Sequence, residues 1–426
     1  MKKLLSLLLA LTMLLGVVPA LAEEQEPVSL TLWTFQEPHT QFFEKMLDLY
    51  NEQTEGPKIV LDMQVYPYEE MHNKLTIALQ SGEGAPDITD IEINMFANYL
   101  KGDIQLEPLN DIVEPIADHL VMSRFENYAK DGNYYGIDHH IGATVAFYNT
   151  EILEQAGVDY KDIKTWDDFR EAGKKVLEAT GKPITTWESN DCWSIYPLVN
   201  QHGGDWLTED NEVRMDEQVV IDTLQFMHDM QFVDGTVQPA PGGWHHTEEY
   251  YGWMNGGGAA AVVMPFWYAA RFLNYMPDLA GVMKVAPMPL WSDGGHKTAQ
   301  MGGTGTAVVK TSEHLELAKD FLSYAKLSFE GNIQSWRILG NDPILLDVYG
   351  TDELNAPNQF FDFFGDDMFE VVESLLDDVP NTCLTDAYPS AADVVKSQMA
   401  YELVIAGTDP AEIAKNCAQE LRDMIE

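Results

Sequence analysis

Short apolar runs rich in β-formers alternate with amphipathic stretches of helical spacing through the first part of this chain, and that order restricts its fold more than any other feature. Ser29 to Phe35, Ile59 to Tyr66 and Ile88 to Ile91 read as strands, with helices over Thr40 to Gln53 and Tyr68 to Gln80 between them. Strand, helix, strand in succession predicts an α/β fold with largely parallel strands. The alternation resumes with a helix over Thr165 to Ala179, a strand over Pro183 to Thr186, a helix over Asp216 to Asp229, and strands over Ala259 to Met264 and Gly303 to Val309. Helices then dominate to the end. Thr165 with Asp168 resembles a capping box, and Asp409, Pro410 and Glu412 supply an N-cap, an N1 proline and an N3 carboxylate for the last helix. Leu315, Ala318, Phe321, Leu322 and Ala325 recur at helical spacing and mark one buried face.

A chain of 426 residues is too long for a single core, so two domains are expected. It has no fixed-period repeat and no low-complexity linker, which favours two closely connected lobes over a solenoid or a string of beads. Lys2 and Lys3, the apolar run Leu4 to Val18, Pro19 and then Ala20-Leu21-Ala22 predict a secretory signal peptide over 1–22, cleaved after Ala22. That run is too short to span a bilayer, and no other segment is suited to it, so the mature chain is expected to be soluble. Against 25 Lys and Arg stand 69 Asp and Glu, a net charge of −44 that repels phosphate backbones and anionic lipids. Nucleic-acid and membrane-surface binding are therefore excluded. Cys192, Cys383 and Cys417 are an odd number set far apart, forming neither a disulfide framework nor a zinc pattern.

In open α/β sheets, ligands sit beyond the carboxyl ends of the strands. Trp33, Phe35 and Gln36 follow the first strand, Tyr66 and Tyr68 the second, Glu92 and Asn94 the third. Trp187, Glu188 and Asn190, with Trp193 close behind, follow the strand at 183–186; Phe266 and Trp267 follow the one ending at Met264, and Trp244 lies in a turn. Aromatic rings beside hydrogen-bonding side chains suit a sugar, whose C–H faces stack while its hydroxyls need partners. Each candidate has a plain structural alternative: a tryptophan can cap a sheet edge, and Glu92 and Asn94 can cap the next helix. Arg337, one of few cations, is carried as a candidate although a surface ion pair accounts for it more simply. The pairs His139-His140 and His245-His246 are not read as metal ligands, because neighbours on a strand face opposite ways and no HExxH or Cys pattern accompanies them. Gly302, Gly303 and Gly305 lead into a strand, the wrong setting for a phosphate loop, and no GxSxG elbow occurs.

Several stretches, taken in order, resemble the extracellular solute-binding proteins (family 1, maltose-binding-protein-like) of carbohydrate ABC transporters. They are 81–88 (SGEGAPDI), Tyr135-Gly136-Ile137 leading to Phe147-Tyr148-Asn149, Ala156-Gly157-Val158 with 164–169 (KTWDDF), and Gly203-Gly204. Gly258-Ala259-Ala260-Ala261 with Pro265-Phe266-Trp267, Gly302-Gly303, and 318–322 (AKDFL) complete the set. The resemblance covers about Leu30 to Leu339 and returns at the terminal helix. It implies an α/β, two-lobed periplasmic-binding-protein fold (type II, venus-flytrap) whose discontinuous lobes are joined by hinge strands. The N-terminal lobe would take 28–141 and 301–345, the C-terminal lobe 142–300 and 346–426.

It further implies a monomeric, non-enzymatic receptor without cofactor or metal, which clamps a carbohydrate in the interlobe cleft and presents it to membrane permease subunits. Carried over, the cleft would include the segment after Trp33, Glu92 to Asn94, the hinge near His139 and His140, the Trp187 to Trp193 loop, Gly303 and above all Trp267. No lipobox cysteine follows the apolar run, so a periplasmic or freely secreted protein is expected. His139-His140 replaces a usual proline, and 348–389, rich in Asp and Phe, matches poorly. Two alternatives stay open: a secreted carbohydrate-active enzyme, for which 69 acids guarantee some carboxyl pair at glycosidase spacing, and a clamp for another solute such as a polyamine. The identity and length of the sugar are not legible.

Overall fold

The computed structural model describes residues 26–425, so the expected signal peptide lies outside the described residues. The first strands and helices follow the pattern closely: β1 (Val28–Thr34), α1 (Glu37–Gln53), β2 (Ile59–Val65), α2 (Tyr68–Ser81) and β3 (Ile88–Glu92). Next come β4 (Thr144–Asn149), α3 (Trp166–Thr180), β5 (Thr185–Trp187), α4 (Gln218–His228), β6 (Val237–Pro239), β7 (Ala261–Pro265), β8 (Met283–Pro287) and β9 (Thr304–Val308). The chain closes with α5 (Leu315–Leu327), α6 (Gln359–Phe364), α7 (Met368–Glu373), α8 (Tyr388–Val394) and α9 (Pro410–Ile425). The capping box forms at α3, where Asp168 N–H donates to Thr165 Oγ1 at 3.1 Å and Thr165 N–H donates to Asp168 Oδ2 at 2.9 Å. Asp409 Oδ1 accepts from the N–H groups of Ala411 and Glu412, both at 3.1 Å, and starts α9.

Two sheets organise the core. One has the order β9-β3-β1-β2, with β1 parallel to β2 and β3, and β9 antiparallel to β3. The other, β8-β4-β7, is antiparallel throughout, which corrects the expectation of largely parallel strands. The reason is one of direction: β4 starts beside the junction of the sheets, and β7 and β8 both run back to it, as the pairings Thr144 to Pro265 and Val145 to Pro287 show.

Alternate residues feed different layers. Leu32 and Val308 join a central core that also takes Val145, Phe147, Val262 and Met264 from the second sheet. Trp33, Ala307 and Val309 face a smaller core under α2, while Ala146, Tyr148, Ala261 and Val263 face a third core under α3 and α9. Each large apolar side chain so buried contributes about 1.5–3 kcal/mol. The four phenylalanines of α6 (360, 361, 363 and 364) close the central core, with Phe360 4.6 Å from Trp336 between ring centroids.

Three stretches cross side by side between the sheets. Ile137 pairs with Thr306 and Ala143 with Gln300, Met301 N–H donates to Gly142 O at 3.0 Å, and Ile141 N–H donates to Asp342 O at 3.1 Å. The buried Asp342 carboxylate accepts from Ala143 N–H at 2.9 Å and Gly142 N–H at 3.3 Å, tying two crossings together. Gly142 has φ +74°, and a Cβ there would fall 2.7 Å from Met301 O, so this position requires glycine.

Candidate functional site

Where β7 reaches the junction, Pro265 delivers Trp267 on a single turn at Phe266–Tyr268. Trp267 Nε1–H donates to Met301 O at 3.3 Å, and its ring meets Trp193 edge-on at 5.4 Å and lies 23° from the plane of His246 at 5.7 Å. Trp244 adds to the group at 4.9 Å from His246, and His140 lies 6.4 Å from Trp267. Trp193, Trp244, His246 and Trp267 each keep partial exposure, so the corner offers ring surface to a ligand. Gly302 makes room for it: a Cβ there would fall 3.1 Å from Trp193 Cη2 and 3.2 Å from Trp267 Nε1.

Glu188, expected as a ligand contact, is fully buried behind this corner and acts as its brace. Its Oε1 accepts His245 N–H at 2.8 Å and its Oε2 accepts Trp193 N–H at 3.1 Å, so one carboxyl holds both aromatic loops. Burial pushes that carboxyl well above the usual range against these two N–H donors.

On the other side of Gly302 lies a polar floor. Arg124, fully buried, donates from Nε to Asp138 Oδ2 at 2.7 Å and from Nη2 to Gly302 O; Tyr128 O–H also donates to Asp138. Burial opposes ionisation of Asp138, but the Arg124 guanidinium outweighs it and holds the carboxyl below the usual range. Asn127 Nδ2–H donates to Gln300 Oε1. Ile93, Asn94, Arg124, Gln300, Met301 and Gly302 line a gap of about 10 Å³ that Tyr196, Thr382, Leu384 and Tyr388 close from the facing side. That is room for about one water, against the roughly 300–1,000 Å³ of typical ligand pockets, so an oligosaccharide requires the two sides to part.

Glu92 stands next to Ile93 and Asn94 of this gap, partly buried at the end of β3. Its Oε2 accepts Asn94 N–H at 2.8 Å and Tyr68 O–H at 3.1 Å, and its Oε1 accepts Asn94 Nδ2–H at 3.0 Å. Burial raises it to about 7, against these donors and the charge of Lys396, which sits 3.6 Å from Asp191 across the gap.

The structure thus brings together Glu92, Asn94, His140, Trp193, Trp244, Trp267 and Gly303 from the expected set, keeps Glu188 behind them, and places the others elsewhere. Trp33 is 4% exposed and points into the core under α2, with Tyr66 edge-on at 5.5 Å and Lys74 Nζ 4.9 Å over its ring. Tyr66 therefore sits on the outer side of that sheet. Trp187 is buried with Nε1–H donating to Met227 O at 3.2 Å. His139 is sealed beneath α1, 4.0 Å from the His39 ring and 5.3 Å from Phe42. It joins His39 and Asp90 in a cluster whose carboxylate already accepts from His39 at 2.8 Å, Thr34 at 2.8 Å and Thr306 at 2.7 Å.

Arg337 is exposed and donates to Glu353 O at 3.0 Å, away from the gap. Phe35 packs on Tyr68 at 5.4 Å, Gln36 precedes α1 with its N–H on Thr34 Oγ1 at 3.1 Å, and Asn190 is exposed beside Gly243. Gly303 serves the floor by having no side chain: at φ +151° a Cβ would run into Arg124 and Asp138 and come 2.8 Å from Tyr128 O–H. Arg124, Tyr196, Gln300, Thr382, Leu384 and Tyr388 were not foreseen, and three of them come from the stretch 348–389 that matched the family pattern poorly.

Two sheet-centred halves meeting at an aromatic corner and a polar floor, joined by three crossing strands, define a two-lobed binding protein. Residues 36–327 match the bacterial extracellular solute-binding protein family, and the chain belongs to it. It is 44% identical over 391 residues to the arabinooligosaccharide-binding protein of Halalkalibacterium halodurans, covering 92% of this chain and 88% of that one. To the arabinooligosaccharide-binding protein of Bacillus subtilis it is 42% identical over 432 residues, covering 99% and 100%. Among solved structures, the cyclic α-maltosyl-1,6-maltose-binding protein of Arthrobacter globiformis superposes with a TM-score of 0.78 at 20% identity, over 94% of this chain and 99% of that one. A transporter-associated binding protein of B. animalis subsp. lactis in complex with β-1,6-galactobiose superposes at 0.75 and 23% identity, over 94% and 98%. The fold is the two-lobed α/β architecture of these proteins. Among the described residues no helix is long and apolar enough to cross a membrane.

Proposed function

We propose that this chain is an exported, monomeric receptor that captures a neutral oligosaccharide between its lobes, arabinose oligomers first among them, and hands it to the permease subunits of an ABC transporter. The observation that carries this reading is the partly exposed corner of Trp193, Trp244 and Trp267 at the lobe junction, beside hydrogen-bonding groups. The specificity for which the two relatives above 40% identity are named supports arabinose oligomers. The lobes in this reading are 28–141 with 301–345, and 142–300 with 346–426; the pairing of α6 and α7 with β8 supports assigning the later segment to the second lobe.

No covalent step is needed. Glu188 and Asp342 accept backbone N–H groups and Asp138 is paired with Arg124, so these buried acids hold the architecture in place. Binding that adds contacts to both lobes only when they close shifts the population toward the closed form. Titration of the purified protein with arabinotriose, with the sugar recovered and analysed afterwards, tests the reading. Saturable binding with the sugar intact, weakened about tenfold or more by Trp267→Ala, is expected; parent affinity in Trp267→Ala refutes the stacking role, and hydrolysed sugar refutes the receptor.

A further inference from the structure

Beside the aromatic corner, the polar floor carries hydrogen-bonding capacity that the protein itself does not use. Arg124 Nη1, Gln300 Nε2 and Asn127 Oδ1 are all buried and without a partner. The residues are 0%, 1% and 5% exposed, and Arg124 and Gln300 line the interlobe gap. Turning over both amides exchanges the free atoms of Asn127 and Gln300 but still leaves one donor and one acceptor. Buried polar groups are nearly always paired, so three orphans on two residues lining one gap and on the Asn127 bonded to one of them call for a group that both gives and takes hydrogen bonds. A hydroxyl does so.

From this geometry we propose that Arg124, Asn127 and Gln300 form a subsite that reads the hydroxyls of one neutral sugar unit, next to the unit stacked on Trp193 and Trp267. This rests on the sugar-receptor reading above. Gly302 joins the two subsites: it is hemmed by both tryptophans on one side and its carbonyl accepts from Arg124 on the other. Ligand charge is selected against in both directions. The guanidinium is already neutralised by Asp138 at 2.6 Å, so an anionic sugar meets no net positive charge. A polyamine, all donors, would face the free N–H groups of Arg124 and Gln300. Tyr196, Thr382, Leu384 and Tyr388 close over the floor from the second lobe, so this unit is enclosed when the clamp shuts.

Calorimetric titrations with arabinotriose, an oligogalacturonate and spermidine, on the parent and two variants, test the subsite. Asn127→Leu with Gln300→Met replaces both amides by apolar groups of like shape, which is close to neutral for stability. Arg124→Lys keeps a cation for Asp138 and removes Nη1. The parent is expected to bind arabinotriose and neither charged ligand. The double variant, melting within about 2 °C of the parent, should bind about tenfold more weakly, and Arg124→Lys about ten- to a hundredfold more weakly. Parent-like affinity in a folded variant of either kind overturns the subsite while leaving the receptor reading intact. A parent that binds spermidine or oligogalacturonate but not arabinotriose overturns both.

Discussion

Glu188→Gln separates a brace from a ligand contact. In the structure each oxygen of this buried carboxyl takes one backbone N–H, from His245 at 2.8 Å and Trp193 at 3.1 Å. Glutamine keeps the size but has one oxygen, so its NH2 must face one of these N–H groups. One hydrogen bond is lost and two buried donors oppose each other, at a cost of about 1–3 kcal/mol. At about 2–4 °C per kcal/mol for a unit of lobe size, Tm should fall by roughly 2–12 °C. Because Glu188 lies behind the rings and out of reach of the ligand, arabinotriose affinity measured well below Tm should fall less than about fivefold. Differential scanning calorimetry with titration at 15 to 20 °C below the midpoint reads both quantities. A variant with parent Tm and affinity reduced about tenfold or more would refute the brace and return Glu188 to the ligand.

Two further substitutions probe the floor and the end of β3. Gly303→Ala drives a methyl group into the Arg124–Asp138 pair; breaking a buried pair costs about 3–5 kcal/mol, so loss of soluble protein or a Tm lowered by about 6 °C or more is expected by thermal denaturation, and a change under about 2 °C contradicts it. Glu92, ordinarily near 4.5, is held at about 7 by burial, so folding takes up a proton there. Its favourable contribution is whole below 4.5 and is lost as pH rises through about 7. The fall in Tm from about pH 5.5 to pH 8 should therefore be smaller in Glu92→Gln than in the parent by thermal denaturation; an equal fall in the variant contradicts the assignment.

The longer helices and the first-sheet strands are legible to within a few residues, because their apolar spacing and caps are local, whereas short helices such as α6 and α7 carry no such signal. The antiparallel second sheet was not, since strand direction depends on how distant segments return to the junction. At the site, the strand-end rule located Trp267 and Glu92 but misplaced Trp33 and Trp187. It gives a residue's height along the sheet and says nothing of which face it takes: Trp33 follows Leu32, which faces the central core, and so must face away from it. Arg124 and Gln300 were invisible because one sits in a single helical turn and the other in an irregular stretch, 176 positions apart, and they acquire meaning only when the crossings bring them to one gap.

The stitching of the three crossings has a mechanical consequence. With Asp342 fastened to Gly142 and Ala143, and Met301 to Gly142, the halves are expected to swing about a single pivot like a door leaf. Displacement then grows with lever arm, so Arg124, Gln300 and Gly302, which sit against the pivot, barely move while groups farther out along each half travel more. A glycan would be gripped first at its innermost unit with the jaws still apart, and the outer units would decide whether they shut.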